Sequence, residues 1–314
     1  MTYFYGPVPS RRLGFSLGLD LIPRKICSFD CVYCQLGKTT RKSLRRFSSV
    51  NLQRLKKELR QIIKRRVKID YITLSGCGEP TLHKDLDKIV SAVKKITKNK
   101  YPVCLITNSS LLHRKDVRNE IKEIDLIIPS LDAVSPRVFK NINNPHKSLA
   151  VDKIISGLKA LKKNFKGEIW LEIMLVAGRN DSVSEAIKFR KIISRIRPDK
   201  VQLNLPTRPS ENQVKIPSFE KIKTIKKILG CAVEVISPFK NKQQTSPSKA
   251  RTQILTYLLR RPATAKDLIN SLAIDDAAFD KIIKSLLRKN KIMQKFYSRK
   301  NFFTAAVKRT DDQK

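Results

Sequence analysis

The chain has 314 residues, enough for one large domain, a small second one and a substantial core. Its formal net charge of +39 favours binding to phosphate-rich polymers, although a solvated lysine-rich surface is an alternative explanation. There is no apolar run near the ~20 residues of a membrane helix, and the N-terminal segment lacks the pattern of a secretory leader. We therefore expect a cytoplasmic protein with no membrane contact.

Apolar, β-rich runs alternate with amphipathic helical runs through residues 1–236. The predicted strands are Phe15–Ile22, Tyr71–Ser75, Val103–Thr107, Leu126–Leu131, Ile169–Val176, Val201–Leu205 and Val233–Ile236. The predicted helices are Leu52–Val67, Leu86–Thr97, Ala150–Leu161, Val183–Ile196 and Phe219–Leu229. Such alternation favours parallel pairing through right-handed crossovers. Six or seven units are too few for a closed barrel of eight, so we predict an α/β fold of the partial (βα)6 TIM type.

A change of composition at residues 237–248 predicts a linker. Three helices are predicted beyond it: Ala250–Leu259, a second that opens at Pro262 with Thr264 as its N-cap, and Asp276–Leu287. Two strands follow, at Met293–Tyr297 and Asn301–Thr304. Three helices and a hairpin predict a winged helix, with its second and third helices forming a helix-turn-helix. The predicted divisions are a core domain at 1–236, the linker at 237–248, the winged helix at 249–307 and a disordered tail at 308–314.

Three cysteines, Cys27, Cys31 and Cys34, follow the first predicted strand. Their spacing, with three and then two intervening residues, suits a loop around three corners of a cubane cluster. A [4Fe–4S] cluster normally takes four thiolates, so one iron would stay open to a small molecule. Structural zinc favours paired Cys-x₂-Cys knuckles with a fourth ligand, and disulfides need an oxidising compartment. Zinc and purely structural cysteines remain alternatives from the residues alone.

The Cys-x₃-Cys-x₂-Cys motif, with the aromatic Tyr33 before its last cysteine, resembles the signature of the radical S-adenosylmethionine (SAM) superfamily. The stretch Tyr5–Gly14, followed by Cys-Val-Tyr-Cys-Gln, resembles the branch related to the wybutosine-synthesising tRNA enzyme. The resemblance implies that the three cysteines bind a [4Fe–4S] cluster. It also implies that one electron cleaves iron-bound SAM to a 5′-deoxyadenosyl radical. There is no second cysteine group for the second cluster expected of the wybutosine enzyme.

Polar residues follow the predicted strands, at the edge where active sites of such folds gather. Gly78-Glu79-Pro80 resembles the Gly-Gly-Glu-Pro motif that binds the ammonium group of SAM, with Cys77 in place of the first glycine, a position from which it could face the pocket. The carboxylate of Glu79 would contact the cation. The cofactor-binding residues predicted in this way are Tyr33, Gly78, Glu79, Asn108, Ser130, Asp132 and Glu172. A helix-capping role is the alternative for Asp132.

Substrate is expected to enter near the last strands of the core. The predicted substrate-binding residues are Arg11, Arg12, Asn204 and Arg208, and Ser10 invites the same interpretation. Arginine suits a carboxylate or a phosphate. For Arg11 and Arg12, which precede the first predicted strand, a structural role is the alternative.

The other cysteines and the histidines do not form a motif. Cys77, Cys104 and Cys231 stand far apart and are predicted to be reduced core residues, in keeping with a cytoplasmic protein. The three histidines have no partnered spacing, so none is predicted as a metal ligand. They are His83, His113 and His146.

The sequence favours an enzyme acting on an anionic macromolecule, most plausibly RNA such as tRNA. The stretch from Lys38 to Lys68 contains thirteen Lys and Arg residues against the single acidic Glu58. An electron donor such as flavodoxin or ferredoxin is expected as a partner. One alternative is a peptide- or protein-modifying radical enzyme whose winged helix docks a protein. Another is an iron–sulfur sensor that binds DNA through Lys281, Lys284, Arg288 and Lys289.

Overall fold

The computed structural model describes residues 2–23, 25–230, 233–236, 247–259, 262–272, 274–297 and 300–306. The strands are β1 Phe4–Ser10, β2 Gly14–Leu19, β3 Ile26–Cys27, β4 Arg41–Lys42, β5 Tyr71–Leu74, β6 Val103–Thr107, β7 Leu126–Pro129, β8 Glu168–Met174, β9 Lys200–Asn204, β10 Val233–Val235, β11 Ile292–Tyr297 and β12 Lys300–Ala305. The helices are α1 Leu52–Lys64, α2 Leu86–Thr97, α3 Lys115–Glu120, α4 Pro136–Asn143, α5 Val151–Asn164, α6 Val183–Ile196, α7 Phe219–Leu229, α8 Pro247–Leu258, α9 Ala265–Leu272 and α10 Asp276–Arg288. A 3₁₀ turn, Pro80–Leu82, follows β5.

One large sheet carries the strands in the order β1-β2-β5-β6-β7-β8-β9-β10. β1 pairs with β2 in antiparallel orientation, and every other neighbouring pair is parallel. Each predicted strand of the core overlaps one of the parallel strands. The prediction of an α/β fold with a mostly parallel sheet is therefore confirmed.

The elements of this core that were not predicted include β1, α3 and α4. β1 contains Pro7 and Pro9, and proline interrupts the pattern expected of a strand. The helices α3 and α4 are only 6 and 8 residues long, too short for a clear helical period. The omission of α4 matters because its last residue, Asn143, contacts the cysteine loop.

The two faces of the sheet carry different side chains, since successive residues of a strand point to opposite faces. One face packs against the helices and contributes Ile72, Leu105 and Leu171 to the main hydrophobic core. The other face carries buried polar residues at alternate positions, including Ser16, Thr73, Glu172 and Asn204. These four line a cavity, so the sheet separates the stabilising core from a polar chamber.

The described C-terminal elements, α8 to β12, form a second hydrophobic core around residues such as Ile254, Phe279 and Phe303. They are the three helices and the hairpin that the sequence predicts. α8 and α9 contact the edge strand β1, and Val8 of that strand packs against the second core. This group of elements, the C-terminal unit, is therefore attached to the sheet.

Some predictions concern residues that the structure does not describe. Residues 237–246 of the predicted linker, the predicted tail and Cys231 lie outside the described residues. Within the residues that the structure describes, no helix has the length and apolar character of a membrane span.

Candidate functional site

The cysteine loop begins at the end of β3 and is held by backbone hydrogen bonds to the end of α4. The amide nitrogen of Asp30 donates to the carbonyl of Asn143 at 3.0 Å, and that of Val32 donates to the carbonyl of Ile142 at 3.0 Å. The amide of Cys34 donates to the carbonyl of Cys31 at 3.0 Å, which closes a tight turn. The loop conformation is therefore set by a helix more than a hundred residues away in the chain.

Each of the three predicted ligand sulfurs lies within hydrogen-bond distance of a side-chain nitrogen. The side-chain amide of Asn108 donates to Cys27 Sγ at 3.4 Å, and that of Asn143 donates to Cys31 Sγ at 3.4 Å. The ammonium of Lys25 lies 3.2 Å from Cys34 Sγ. Because N–H donors favour the thiolate form that ligates metal, this donor set fits a cluster bound by all three cysteines.

Burial opposes thiolate formation unless a cation is present. Burial, with the nearby carboxylate of Glu79, raises the pKa of Cys27 to about 12. Burial also raises the pKa of Cys31 well above its usual value. Bound iron would offset this cost, because a coordinating thiol loses its proton.

No group of His, Cys, Asp and Glu in the described part of the chain forms a site for a single metal ion. Cubane ligands bind different iron atoms, so they need not converge on one point.

The Gly78-Glu79 turn lies directly beside the cysteine loop. A Cβ added to Gly78 would be 2.2 Å from the carbonyl oxygen of Ile26, so only glycine permits this approach. The carboxylate of Glu79 is buried and accepts hydrogen bonds from the hydroxyl of Thr107 at 2.6 Å and the amide of Asn108 at 2.8 Å. Burial raises the pKa of Glu79, and these hydrogen bonds oppose the rise. Glu79 thus joins the ends of β5 and β6 next to the cluster loop.

Asp132 is a buried acceptor beneath the cysteine loop. Its carboxylate accepts hydrogen bonds from the hydroxyl of Tyr33, from the side-chain amide of Asn143 at 2.7 Å and from the amide of Met174 at 2.9 Å. Burial raises the pKa of Asp132, and burial together with that carboxylate raises the pKa of Tyr33. In this arrangement Asp132 positions the loop, and its predicted contact with the cofactor stays a prediction.

A cavity of ≈ 350 Å³ lies between the cysteine loop and the polar face of the sheet. Arg12 forms an ion pair with the buried carboxylate of Glu172. The side-chain amide of Asn204 donates to Glu172 at 3.1 Å, and Arg11 donates to the amide oxygen of Asn204 at 2.9 Å. Four residues predicted separately as cofactor- or substrate-binding thus form one hydrogen-bonded group in the cavity wall.

The C-terminal unit reaches the mouth of the same cavity. Arg208 lines the cavity and donates from Nε to the carbonyl of Pro262 at 3.1 Å. Tyr257 of α8, which is only 3% exposed, also lines the cavity. The hydroxyl of Tyr297 in β11 donates to the carbonyl of Val214. Arg208, predicted as a substrate-binding residue, therefore also joins the core to the C-terminal unit.

Other predicted residues lie nearby. Ser130 pairs with Glu172 in an isolated bridge, and its carbonyl accepts from the hydroxyl of Ser109 at 2.8 Å. Ser10 and Tyr33 line the cavity. Cys77 is partly buried beside the cysteine loop, its carbonyl accepting from the amide of Lys25 at 2.7 Å, but it is not among the residues that line the cavity.

The remaining cysteine and histidine predictions concern residues away from the cavity. Cys104 is fully buried, as predicted for a core residue, and burial raises the pKa of its thiol. His83 is also buried, and its Nε2 accepts from the amide of Ser49 at 3.2 Å. His113 is half-buried and His146 is exposed in part, which agrees with structural or surface positions.

One cation of the basic stretch is not available to a partner. Arg46 is buried, and its guanidinium bonds to Glu120 at 2.7 Å, to Asp116 at 3.3 Å and to the carbonyl of Thr81 at 3.0 Å. The sequence interpretation counted Glu58 as the only opposing charge. That count is right for the stretch itself, but the acidic partners of Arg46 come from α3, which was not predicted.

Sequence reasoning missed several residues of the site. Ser16 and Thr73 share a buried hydrogen bond of 2.7 Å and line the cavity. Their polar side chains within otherwise apolar strands could have indicated a polar cavity. Lys25 and Asn143 donate to cluster-loop sulfurs, but nothing in their local sequence indicates this. Their roles depend on tertiary contacts.

Comparison with known proteins identifies a family and one close group of relatives. The model of the Radical SAM superfamily matches residues 21–190. A UPF0026 protein of Methanocaldococcus jannaschii is 35% identical over 322 residues, which cover 99% of this chain and 98% of that protein. A protein named GTPase Obg from Brachyspira hyodysenteriae is 39% identical over 297 residues. The match covers 92% of this chain but only 43% of that protein.

More distant proteins share parts of the chain. A probable dual-specificity RNA methyltransferase, RlmN, of Thermotoga petrophila is 24% identical over 210 residues, covering 65% of this chain and 58% of that protein. The crystal structure of a radical SAM methyltransferase from Sphaerobacter thermophilus superposes with a TM-score of 0.52 at 16% identity. It covers 70% of this chain and 65% of that one, which shows a shared fold. The chain therefore belongs to the radical SAM superfamily, whose enzymes use a [4Fe–4S] cluster and SAM, and within it to the UPF0026 group.

Proposed function

We propose that this radical SAM enzyme modifies RNA. The observation that carries the proposal is a cation-rich surface on two separate parts of a chain with a net charge of +39. Protein–RNA affinity depends strongly on phosphate contacts by Lys and Arg.

The first cationic surface is the outer side of α1 and the turn that follows it. Only Leu55 and Leu59 of this helix are buried, and the helix has no acidic residue in its first turn. The exposed cations are Lys57, Arg60, Lys64, Arg65, Arg66 and Lys68. The same basic stretch starts at Lys38, four residues after Cys34, so its first cations adjoin the cysteine loop in sequence.

The second cationic surface is on α10 of the C-terminal unit. Its buried residues are Phe279, Ile283 and Leu286, which face the second core. The opposite side exposes Lys281, Lys284, Arg288 and Lys289. We propose that α8 to β12 form a winged helix that contacts the phosphate backbone of RNA, with shape rather than base edges being recognised.

The residues of the site have proposed roles in this reaction. When bound, the cluster and SAM supply radical chemistry. Cys27, Cys31 and Cys34 would hold the cluster. The turn at Gly78 and Glu79 would lie beside the amino group of SAM, and Tyr33 with the strand-end residues would surround its nucleoside. This proposed cofactor group comprises Asn108, Ser130, Asp132 and Glu172.

The cavity wall would orient the substrate. The buried carboxylate of Glu172 holds Arg12 directly and Arg11 through Asn204. This group presents two guanidinium groups to the cavity. A guanidinium suits phosphate or a ring carbonyl. An RNA base that leaves its stack could enter such a chamber, as in enzymes that flip bases. The name of the Thermotoga relative, an RNA methyltransferase, supports the same substrate class.

The test is anaerobic incubation of the reconstituted enzyme with SAM, dithionite and total RNA from the native cell. The RNA is then digested to nucleosides and compared by mass spectrometry. We expect a nucleoside of altered mass that is absent with Cys31→Ala. Unchanged nucleosides together with a modified protein from the same extract would favour the peptide-modifying alternative.

RNA binding tests the surfaces separately. Lys281→Ala with Lys284→Ala should reduce the salt slope of tRNA affinity by about 1 for each lysine that no longer binds a phosphate. Lys159→Ala with Lys163→Ala on α5 removes two exposed lysines at similar spacing and serves as the control. An affinity indifferent to salt, or equal reductions in both double variants, would contradict the proposed surface.

The curvature of the sheet, the domain limits and the reductant are proposals as well. We propose that the parallel sheet curves as a partial (βα)6 barrel, with domain limits at 1–236 and 249–307, and that flavodoxin or ferredoxin is the reductant. The sequence stretch Tyr5–Gly14 supports the wybutosine-related branch, and a cytoplasmic location follows from the proposed RNA substrate. A protein partner of the C-terminal unit is the alternative to RNA there.

A further inference from the structure

Lys25 is a buried cation at the cluster loop. It is only 5% exposed, and its Nζ lies 3.2 Å from Cys34 Sγ. None of the ion pairs within the described residues includes Lys25. A buried charge normally requires a compensating partner. The nearest candidate for that partner is the sulfur of Cys34.

The backbone of Lys25 is fixed in an unusual conformation. Its φ is 60°, in the left-handed region that glycine adopts readily and other residues seldom adopt. Its amide donates to the carbonyl of Cys77 at 2.7 Å, and its own carbonyl accepts from the amide of Thr40 at 3.1 Å. These backbone hydrogen bonds on both sides of the peptide unit fix where the side chain of Lys25 starts.

The three side-chain N–H donors to the sulfurs of the cysteine loop are not equivalent. Asn108 and Asn143 offer neutral amides to Cys27 and Cys31 at 3.4 Å, whereas Lys25 offers a full positive charge to Cys34 at a shorter distance. Cys34 is also the one of the three ligand cysteines that lines the cavity. The charged donor therefore contacts the sulfur of the ligand cysteine that lines the cavity.

We propose that Lys25 sets the reduction potential of the cluster. Reduction adds one negative charge, and a fixed cation next to a ligand sulfur stabilises that charge in a poorly solvated site. Lys25 would thus make the cluster easier to reduce by a physiological donor. The inference rests on the cluster alone and does not require RNA as the substrate.

The experiment is a dye-mediated redox titration followed by electron paramagnetic resonance, with SAM and RNA omitted. Wild type, Lys25→Met, Lys25→Gln, Lys25→Arg and Lys38→Met are reconstituted anaerobically and matched for iron content. Dithionite supplies the electron. Lys38 is exposed in the same loop, so Lys38→Met removes an equal charge without the sulfur contact.

We expect Lys25→Met to lower the midpoint potential by at least about 59 mV, which is a tenfold change in the equilibrium constant of one-electron reduction. Lys25→Arg should stay near wild type, and Lys38→Met should be unchanged, because solvent screens an exposed charge. Lys25→Gln keeps an N–H donor without the charge and should also lower the potential. If Lys25→Met does not assemble a cluster, Lys25→Gln decides the question. A wild-type potential in the neutral variant that assembles would overturn the proposal.

Discussion

The two ends of the cavity are built in different ways. At the inner end, three sulfurs receive donors from three separate parts of the core, and the carboxylate of Asp132 holds the loop from below. At the outer end, the C-terminal unit meets the core through apolar packing on β1 and a small number of polar contacts such as Arg208 with Pro262. The cysteine loop is thus held in place by a dense buried network of hydrogen bonds. The opening of the cavity is bordered by a few contacts, each of which a single substitution can remove.

The largest expected effect is at the inner end. Cys31→Ala removes one of the three predicted ligands, and we expect the visible absorbance and iron of the cluster to disappear while the fold is kept. Cys104→Ala is the matched control, because Cys104 is fully buried in the sheet, where it packs with Leu126 and Ile128. Iron content, absorbance and circular dichroism measure the outcome. Retained iron in a triple alanine variant of the loop would show that the ligands lie elsewhere.

A smaller effect is expected when the support of the loop is removed. Asp132→Ala leaves the hydroxyl of Tyr33 and the amides of Asn143 and Met174 without their acceptor. We expect the free energy of unfolding to fall by about 3 kcal/mol, since each buried group left unsatisfied is costly. Urea unfolding of the apo protein measures it. Asp152→Ala, at an exposed position of α5, should change the free energy of unfolding little. An equal fall in this control would show that Asp132 has no special role in holding the loop.

The smallest effect is expected at the outer end. Arg208→Ala and Tyr297→Phe each remove one hydrogen bond between the core and the C-terminal unit. Each should weaken the attachment by about 1 kcal/mol. Hydrogen exchange of α8 peptides should then speed up, while exchange in the cysteine loop stays the same. Arg190→Ala on α6 is the exposed control. Faster exchange at the loop as well would mean that the two ends form one cooperative structure.

Much of this site was predictable because its chemistry is encoded locally. The cysteine spacing indicates the cluster, and the strand-end positions of Glu79, Asn108 and Asp132 place them at one edge of a parallel sheet. The parallel strands themselves were evident as buried apolar runs. In each case neighbouring residues in the chain carry enough information to indicate the feature.

Other features could not be predicted, since they join residues distant in the chain. The end of α4 reaches the cysteine loop, and that helix is too short to have a clear period. Arg46 pairs with Glu120 of a second short helix, and Arg12 pairs with Glu172 across the sheet. Opposite charges attract at any separation in sequence, and only the packed backbone decides which pairs meet.

The sequence by itself determined the family and the alternation of strands and helices, and it predicts the ligand set, because each of these depends on spacing along the chain. Tertiary structure alone decided that the C-terminal unit closes one side of the cavity and that Lys25 lies against Cys34. Both depend on three-dimensional packing: β1 contacts α8, and a backbone with φ of 60° directs a lysine toward sulfur. Such contacts arise from the burial of surfaces, which no local pattern records.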